Sequence, residues 1–312
     1  MAPDDEFAPA LRYWTGSRAH NIRLYREYGP PPERAESESE IYRDLGLNFI
    51  PPELREDQGE FEAARGGTLP SLVEMKDIRG DLHIHGLTVG GADLLEEYAA
   101  TAMRMGYEYI AITDHLRSPF TPYGLDEAGI RSRMREIEHL NRRLEGLTLL
   151  SGIEANINKD GSIDLPASMS RDLDLVIASV HSDFSMARDE MTLRIVRAVE
   201  ENEIHVLGHP TGRIIGKRAM VHLDLMRIAD VSRERNVLLE LNAHPARLDL
   251  NGEGCRRAKA AGTLFALGSD AHRPEAMGNL LHGVAQVRRG WLEKRDLVVT
   301  MPLSLLLARL NR

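Results

Sequence analysis

Seven short apolar runs recur between residues 81 and 272, and each ends in a residue that can bind a metal ion. The runs are DLHIH, YEYIAITDH, LTLLSGIE, LDLVIASVH, IHVLGH, VLLELNAH and TLFALGSDAH. Runs of this length, rich in Ile, Val and Leu, are typical of buried strands. Most are separated by stretches with helical spacing, at residues 93–105, 126–144, 190–202 and 223–236. Strands alternating with helices predict an α/β fold with a parallel sheet, and seven such units predict a closed or nearly closed barrel slightly smaller than the eight-fold one.

The composition narrows the class of protein. The single cysteine, Cys255, excludes a disulfide framework and predicts a reducing, cytoplasmic location. No apolar run approaches the roughly 18 to 20 residues of a membrane span, so no membrane partner is expected. The formal net charge of −9 argues against a broad nucleic-acid-binding surface, but it is compatible with a local basic groove.

Residues 1–75 differ from the rest of the chain. They are rich in Pro and Glu, as in EYGPPPERAESESE and FIPPELRED, and show no long periodic pattern beyond a short helix-like run near Ile41 to Leu47. We therefore expect a short, loosely structured N-terminal extension that packs locally, followed by the barrel domain at residues 76–312.

The ends of parallel strands converge on one face of an α/β barrel, and chemistry is located there. The residues that end the seven runs are therefore expected to lie together: His83 and His85, Asp114 and His115, Glu154, His181, His209, His244, and Asp270 with His272. Alternate residues of a strand share a face, so His83 and His85 can bind one ion. A single histidine after a strand is more often a rim residue, and this applies to His244 and to His205. The other histidines, His20, His139, His222 and His282, are predicted to lie on the surface.

Imidazole and carboxylate ligands without thiolate suit Zn, Mn or Fe better than Ca or Mg. The donors suffice for two or three ions, and Glu154 lies where a carboxylate can bridge two of them. Two such ions can generate hydroxide and stabilise an in-line displacement at phosphorus, which requires no serine or cysteine nucleophile. Arg213, in GHPTGR, is either a phosphate contact or a surface arginine.

The motifs DLHIH, ITDH, GIEANI, ASVHS, LGHPTGR and GSDAH, in this order, resemble the PHP domain of polymerases and histidinol phosphatases. The blocks ASVHSDF, GHPTGR, LELNAHPARLDL and RRGWL are most similar to the C-terminal PHP domain of bacterial and archaeal family X DNA polymerases. In the extension, ALRYWTGSRAHNIRLY and LGLNFIPPELRED resemble the end of that family's thumb and its linker. The nucleotidyltransferase palm of the family would lie upstream, so we expect no polymerase activity from this chain.

The resemblance implies a distorted (β/α)7 barrel with a trinuclear site that holds Mn²⁺ or Zn²⁺, with Fe as a further option. The implied ligands are His83, His85, Glu154 and Asp270 for a first ion, Glu154, His181 and His209 for a second, and His115 and His272 for a third. Glu154, His209 and Arg213 are the expected catalytic residues, and Arg213 and His244 are the expected substrate contacts. Relatives act as Mn-dependent 3′–5′ exonucleases, and phosphatase and abasic-site activities also occur among them.

The sequence departs from the family in the turn after His85. This turn reads HGLTVGG, and Gly90 stands where the family has an Asp or His ligand of the third ion. Asp93 would have to move back to replace that ligand. His244 replaces the more frequent Asn, so it either binds substrate phosphate, partly compensates for the lost ligand, or is a surface histidine.

Three functions are consistent with these features. The leading hypothesis is a metal-dependent 3′–5′ exonuclease that trims single-stranded or gapped DNA 3′ ends in repair. The second is a small-molecule phosphomonoesterase of the histidinol-phosphatase type. The third is a catalytically impaired PHP domain with a structural or DNA-positioning role, for which Gly90 is the sequence support.

Overall fold

The computed structural model of the protein describes residues 4–87, 94–119 and 121–310. The chain divides into two compact units, Met1–Ser71 and Leu72–Arg312, near the boundary expected after residue 75. No helix among the described residues is long and apolar enough to cross a membrane.

The first unit is helical. Its helices are α1 (Asp4–Thr15), α2 (Arg18–Tyr28), α3 (Glu38–Asp44) and α4 (Glu60–Gly66), with a 3₁₀ turn at Pro52–Leu54. Buried Arg55 donates from Nε to the Ile50 carbonyl (2.9 Å) and from Nη1 to Glu38 Oε1 (2.6 Å). These contacts correct the expectation of a loosely structured extension, because Pro-rich connections here join short helices that bury their own polar groups.

His20 is also corrected, because it is buried and not on the surface. Its Nδ1 lies 2.7 Å from Glu60 Oε1 and its Nε2 lies 3.0 Å from the Tyr42 hydroxyl. The Glu60 carboxylate also accepts the backbone amides of Asp57 and Gln58, at 2.7 and 2.6 Å. His20 is therefore part of the polar core of the first unit, whereas His139, His222 and His282 are exposed as predicted.

The second unit contains one sheet of seven parallel strands in the order β1-β2-β3-β4-β5-β6-β7. The strands are β1 (Gly80–Ile84), β2 (Tyr109–His115), β3 (Thr148–Asn156), β4 (Leu175–Ser179), β5 (Val206–Leu207), β6 (Leu238–Asn242) and β7 (Phe265–Gly268). Each corresponds to one of the seven apolar runs, and nearly every strand residue is buried. The predicted nearly closed (β/α)7 barrel is confirmed.

The first and last strands meet at their C-terminal ends. The His85 amide donates to the Ala271 carbonyl (2.8 Å), and the Asp270 amide donates to the His83 carbonyl (2.9 Å). An isolated parallel bridge joins Ile84 and Ala271. This seam brings residues from opposite ends of the barrel sequence together.

Helices connect successive strands, and two further helices follow β7. The helices are α5 (Leu95–Met105), α6 (Glu127–Asn141), α7 (Ala167–Asp172), α8 (Arg188–Glu201), α9 (Leu225–Glu234), α10 (Gly252–Ala260), α11 (Leu280–Arg289) and α12 (Leu303–Leu310). Shorter 3₁₀ turns lie at Met75–Asp77, Pro274–Asn279, Lys294–Asp296 and Val298–Thr300. Asp126 and Asp224 cap α6 and α9 by accepting backbone amides at 2.9 and 3.2 Å, so polar residues fix where these helices begin.

Candidate metal centre

Eight of the sequence-predicted ligands lie at the C-terminal ends of the strands and form one cluster. The cluster comprises His83, His85, His115, Glu154, His181, His209, Asp270 and His272. The parallel pairing of β2 with β3 sets His115 directly beside Glu154. Since strands distant in sequence end at one face, residues from all parts of the barrel reach the same site.

The Glu154 carboxylate lies at the centre of this cluster and is buried. Oε1 lies 2.9 Å from His209 Nε2 and 3.2 Å from His181 Nε2. Oε2 lies 3.0 Å from His115 Nδ1 and 3.4 Å from His83 Nε2. Burial opposes ionisation, yet the charges of His181, His115 and His83 outweigh it and hold the pKa of Glu154 well below its ordinary value. Glu154 is thus an ionised carboxylate with each oxygen facing two imidazoles.

Asp270 is the second buried carboxylate. Its Oδ1 lies 3.0 Å from His85 Nε2 and 3.8 Å from His83 Nε2. Its Oδ2 accepts from Asn242 Nδ2 at 3.1 Å and lies 3.3 Å from Arg247 Nε. Burial raises the pKa of Asp270, but the charge of His83 and the hydrogen bond from His85 outweigh burial and leave that pKa well below its ordinary value.

Three neighbouring imidazole rings, those of His85, His115 and His272, lie at the more exposed side of the cluster. The His85 ring stacks on His272 with centroids 4.1 Å apart and on His115 with centroids 4.4 Å apart. The His272 side chain is 43% exposed, whereas that of His85 is 2% exposed. The three rings therefore extend from the buried carboxylates towards solvent.

Buried partners orient two of the candidate ligands. His83 Nδ1 lies 2.5 Å from Glu240 Oε1, which leaves Nε2 directed at Glu154. His181 Nδ1 lies 2.6 Å from Asn156 Oδ1, and Asn156 in turn donates to Asp164 at 2.5 Å. Metal-binding histidines in proteins commonly have such a partner on the other ring nitrogen, because it fixes the tautomer and the ring orientation.

The donor set fits divalent cations. Ligand atoms lie within 4.8 Å of one another in three groups: His83, His85 and Asp270; His115, Glu154 and His181; and His85, His115 and His272. These groups divide the residues differently from the assignment that the resemblance implies. Several buried ring nitrogens have no hydrogen-bond partner among the described residues, namely His83 Nε2, His85 Nδ1, His115 Nδ1 and His209 Nδ1.

The charges of the cluster also fit a cation. Burial lowers the pKa of His83, but Glu240, Glu154 and Asp270 outweigh it and raise this pKa well above its ordinary value. The raised pKa favours a protonated ring, whose charge offsets those of the carboxylates. A divalent cation would take the place of such protons, as happens when metals bind imidazole.

Two of these residues have an unusual backbone conformation. His209 has a φ of 24° and Asp270 has a φ of 53°, in the region that non-glycine residues rarely adopt. The backbone amide of His209 donates to Glu240 Oε2 at 2.6 Å, and that of Asp270 donates to the His83 carbonyl. Strained backbone held by the surrounding structure concentrates at functional sites, so both side chains are presented at a conformational cost.

The two predicted substrate contacts have other partners in this structure. Arg213 donates from Nε to the Arg247 carbonyl (2.6 Å) and from Nη2 to the Leu248 carbonyl. His244 is half-buried, and its Nδ1 accepts the Ala246 amide at 3.1 Å. Both residues shape the loop after β6, and their substrate-binding role stays a prediction.

Three further expectations have different outcomes. Asp114 lies beside Arg133 Nε (3.1 Å) and accepts the Leu87 amide (2.8 Å), so its carboxylate fixes the backbone at Leu87. His205 Nδ1 accepts the Val176 amide at 3.0 Å, between adjacent strands. Gly90 and Asp93, on which the predicted third-ion defect depends, lie outside the described residues.

Sequence reasoning missed Glu240 and Arg247. Glu240 is a charged residue inside the apolar run VLLELNAH, and a carboxylate in a buried strand is a signal that it has a specific partner. Arg247 gives no such signal, because a single arginine in a loop resembles any surface arginine. Its approach to Asp270 depends on the path of the loop.

Comparison with known proteins identifies relatives of two kinds. The DNA polymerase/3′-5′ exonuclease PolX of Bacillus subtilis is 34% identical over 96% of this chain and 55% of its own length, so the chain spans about half of that relative. A probable phosphatase of Proteus mirabilis is 32% identical over 64% of this chain and 80% of its own. The probable phosphatase YcdX of Escherichia coli K12 is 30% identical with the same coverages.

A solved structure shares the fold. It is the histidinol phosphate phosphatase of Lactococcus lactis complexed with zinc, L-histidinol and phosphate, with a TM-score of 0.51 and 18% identity over 66% of this chain and 92% of that one. The family model for the PHP domain matches residues 81–244, which include β1 from its second residue, β2 to β6 and six of the eight clustered residues. Because this match extends over more than half of the chain, the protein belongs to the PHP domain family.

Proposed function

We propose that this protein is a metal-dependent phosphoesterase that removes nucleotides from DNA 3′ ends, as a 3′–5′ exonuclease in repair. The observation that carries the proposal is the buried Glu154 carboxylate, with four imidazole nitrogens between 2.9 and 3.4 Å from its two oxygens. A buried carboxylate shared among imidazoles from four strands is suited to bridge cations and is poorly suited to any purely structural role.

The eight clustered residues would hold two or three divalent ions, Mn²⁺ or Zn²⁺ with Fe as a further option. Bound ions supply Lewis acidity at phosphate oxygens and lower the pKa of a bound water. Glu240 and Asn156 orient His83 and His181 for this purpose. Arg247, whose Nε lies beside Asp270, is placed to pair with a nonbridging phosphate oxygen.

A cysteine nucleophile has no support. Cys255 is buried in α10, and burial raises the pKa of its thiol far above the ordinary value. Its Sγ contacts the Leu250 carbonyl at 3.9 Å. Since a thiolate and not a thiol is the reactive nucleophile, Cys255 is unsuited to attack phosphorus.

The similarity to PolX, whose name includes 3′-5′ exonuclease activity, favours DNA as the substrate. The probable phosphatases, which are 32% and 30% identical over 64% of this chain, favour the second candidate, a small-molecule phosphomonoesterase. The choice between them depends on whether the enzyme cleaves phosphodiesters or only terminal phosphates.

A time course on a 5′-labelled single-stranded oligonucleotide with Mn²⁺, resolved on a denaturing gel, tests the proposal. We expect a ladder that shortens from the 3′ end and that disappears with EDTA or in the Glu154→Gln variant purified in parallel. Release of phosphate from p-nitrophenyl phosphate, without a ladder, would favour the phosphomonoesterase. An intact oligonucleotide and no phosphate release from a sample with confirmed metal content would refute both activities and favour the catalytically impaired domain. In that case Gly90→Asp is the first variant to make, because it would restore the missing ligand.

A further inference from the structure

The first unit contains a groove of about 800 Å³ between α1 and α2. Its main lining residues are aromatic, cationic or aliphatic: Tyr13, Trp14, Arg18, Ile22, Tyr25 and Arg26. None of them belongs to the metal centre, and the groove has no part in the proposed hydrolysis.

The aromatic rings of this groove are unusually exposed. Trp14 is 80% exposed, Tyr25 is 61% exposed and Tyr13 is 53% exposed. The Tyr13 and Trp14 rings meet edge to face with centroids 5.3 Å apart. Large aromatic surfaces left in water on one face of a small unit commonly mark an interaction site. Ile22 is the single aliphatic residue among the lining side chains that the structure describes, so the groove resembles a stacking surface more than an apolar docking face.

The charge of the groove is opposite to that of its surroundings. Residues 1–71 contain 14 Asp and Glu against eight Arg and no Lys. Nevertheless, the described groove lining contains two guanidinium groups and no carboxylate. Arg18 forms no ion pair within the described residues, and Arg26 is 70% exposed beside Glu27, a carboxylate that it shares with Arg23. The groove is therefore complementary to an anionic occupant.

The two helices that form the groove are held in place by hydrogen bonds. Arg12 Nη1 donates to Asn21 Oδ1 (2.9 Å), and Asn21 Nδ2 donates to the carbonyls of Tyr13 (2.9 Å) and Gly16 (3.1 Å). Ser17 caps α2 by accepting the His20 amide at 3.1 Å. Tyr13 and Trp14 thus project from a helix end that hydrogen bonds hold in place, which reduces the entropy lost when a ligand binds.

We propose that this groove binds single-stranded DNA, with bases stacked on Trp14, Tyr13 and Tyr25 and phosphates paired with Arg18 and Arg26. Exposed aromatic rings combined with arginines are the recurring means of binding single strands without sequence preference. The choice of DNA rests on the proposed function, whereas binding itself requires neither metal nor hydrolysis. A protein partner for the same surface is an outcome that the experiment separates.

Fluorescence anisotropy of a 5′-fluorescein-labelled oligo(dT), measured on the full chain in EDTA, tests the groove. We expect Trp14→Ala to raise the Kd about ten-fold and Arg18→Glu to raise it by a similar factor, because base stacking and a phosphate contact are lost. The matched controls are Leu281→Ala, which changes a 59% exposed apolar residue, and Arg43→Glu, which changes an arginine with a 71% exposed side chain in the same unit. We expect both controls to bind like the wild type.

Tryptophan emission provides an independent readout. The chain has two tryptophans, Trp14 and Trp291, so the difference between wild type and Trp14→Phe isolates the Trp14 signal. Stacking predicts that oligo(dT) quenches this signal in EDTA. If Trp14→Ala and Arg18→Glu bind oligo(dT) like the wild type, or if saturating oligonucleotide does not quench Trp14, single-stranded DNA is not the ligand of the groove. A protein partner is then the favoured occupant. Binding and quenching without any nuclease ladder in Mn²⁺ would instead refute the exonuclease and leave the groove in place.

Discussion

Glu240 connects His83 to the backbone of His209. One carboxylate oxygen lies 2.5 Å from His83 Nδ1, and the other accepts the His209 amide at 2.6 Å. A single residue of β6 therefore orients a side chain of β1 and fixes the unusual backbone of a residue that follows β5.

Replacing Glu240 tests whether this orientation supports metal binding. In Glu240→Gln, one oxygen still accepts from His83, but the amide nitrogen faces the His209 N–H, so one contact is lost. We expect metal affinity to fall about 10- to 100-fold, as when other orienting partners of metal ligands are removed. Competition with a chromophoric chelator measures the affinity, and Glu97→Gln, on the exposed face of α5, is the control. Equal affinities in the two variants would contradict the assigned role.

Gly268 provides a steric test of the same site. A Cβ at this position would lie 2.3 Å from the His83 Cβ and 3.0 Å from Glu240 Oε1. Gly268→Ala should therefore displace His83, lower metal occupancy and destabilise the fold by about 1–3 kcal/mol. Gly278→Ala is the control, since a Cβ there meets nothing within 4 Å. Metal content by mass spectrometry and urea unfolding give the two readouts, and wild-type occupancy in Gly268→Ala would refute the prediction.

We expect Arg247 to contribute to substrate binding and Arg213 to contribute to the stability of the fold. Arg247 Nε lies beside Asp270, so Arg247→Ala should raise the KM for an oligonucleotide about ten-fold with little change in stability. Arg213 donates to two backbone carbonyls, so Arg213→Ala should lower the free energy of unfolding by about 1–3 kcal/mol. Steady-state kinetics and urea unfolding of both variants test this division. The reverse pattern would restore Arg213 as the phosphate contact.

The buried carboxyl group of Asp249 should make the free energy of unfolding depend on pH. It is buried and accepts the amide and the hydroxyl of Thr211 at 3.0 and 2.8 Å. Burial raises the pKa of Asp249 from 3.8 to about 6. Between about pH 4 and pH 6 the unfolded chain has lost this proton while the folded protein retains it, so stability falls as the pH rises, by about 3 kcal/mol in total.

The Asp249→Asn variant lacks this titration and serves as the reference. The difference in unfolding free energy between wild type and variant should shift against the wild type between about pH 4 and pH 6 and then remain constant. Urea unfolding of both proteins across this range gives the difference. A difference independent of pH would show that the Asp249 carboxyl does not retain its proton on folding.

The barrel could be predicted because each strand is a short apolar run. The candidate ligands could be predicted because each run ends in a residue that can bind a metal ion. The convergence of His83 with Asp270 follows from barrel closure, which seven alternating units already indicate. In contrast, the burial of His20 could not be predicted, since it depends on Glu60 and Tyr42 approaching from other helices. The partners of Arg213 likewise depend on the path of a loop that no local pattern specifies.

Because the seam between β1 and β7 joins the two ends of the barrel sequence, the cluster can form only late in protein synthesis. His83, His85 and Asp270 come together across this seam, where the first and last strands of the barrel meet. A nascent chain that has not yet produced β7 has His83 and His85 but lacks Asp270, and it cannot assemble the cluster. The complete set of candidate ligands thus arises only with the finished barrel, so truncated or unfinished chains do not present this centre.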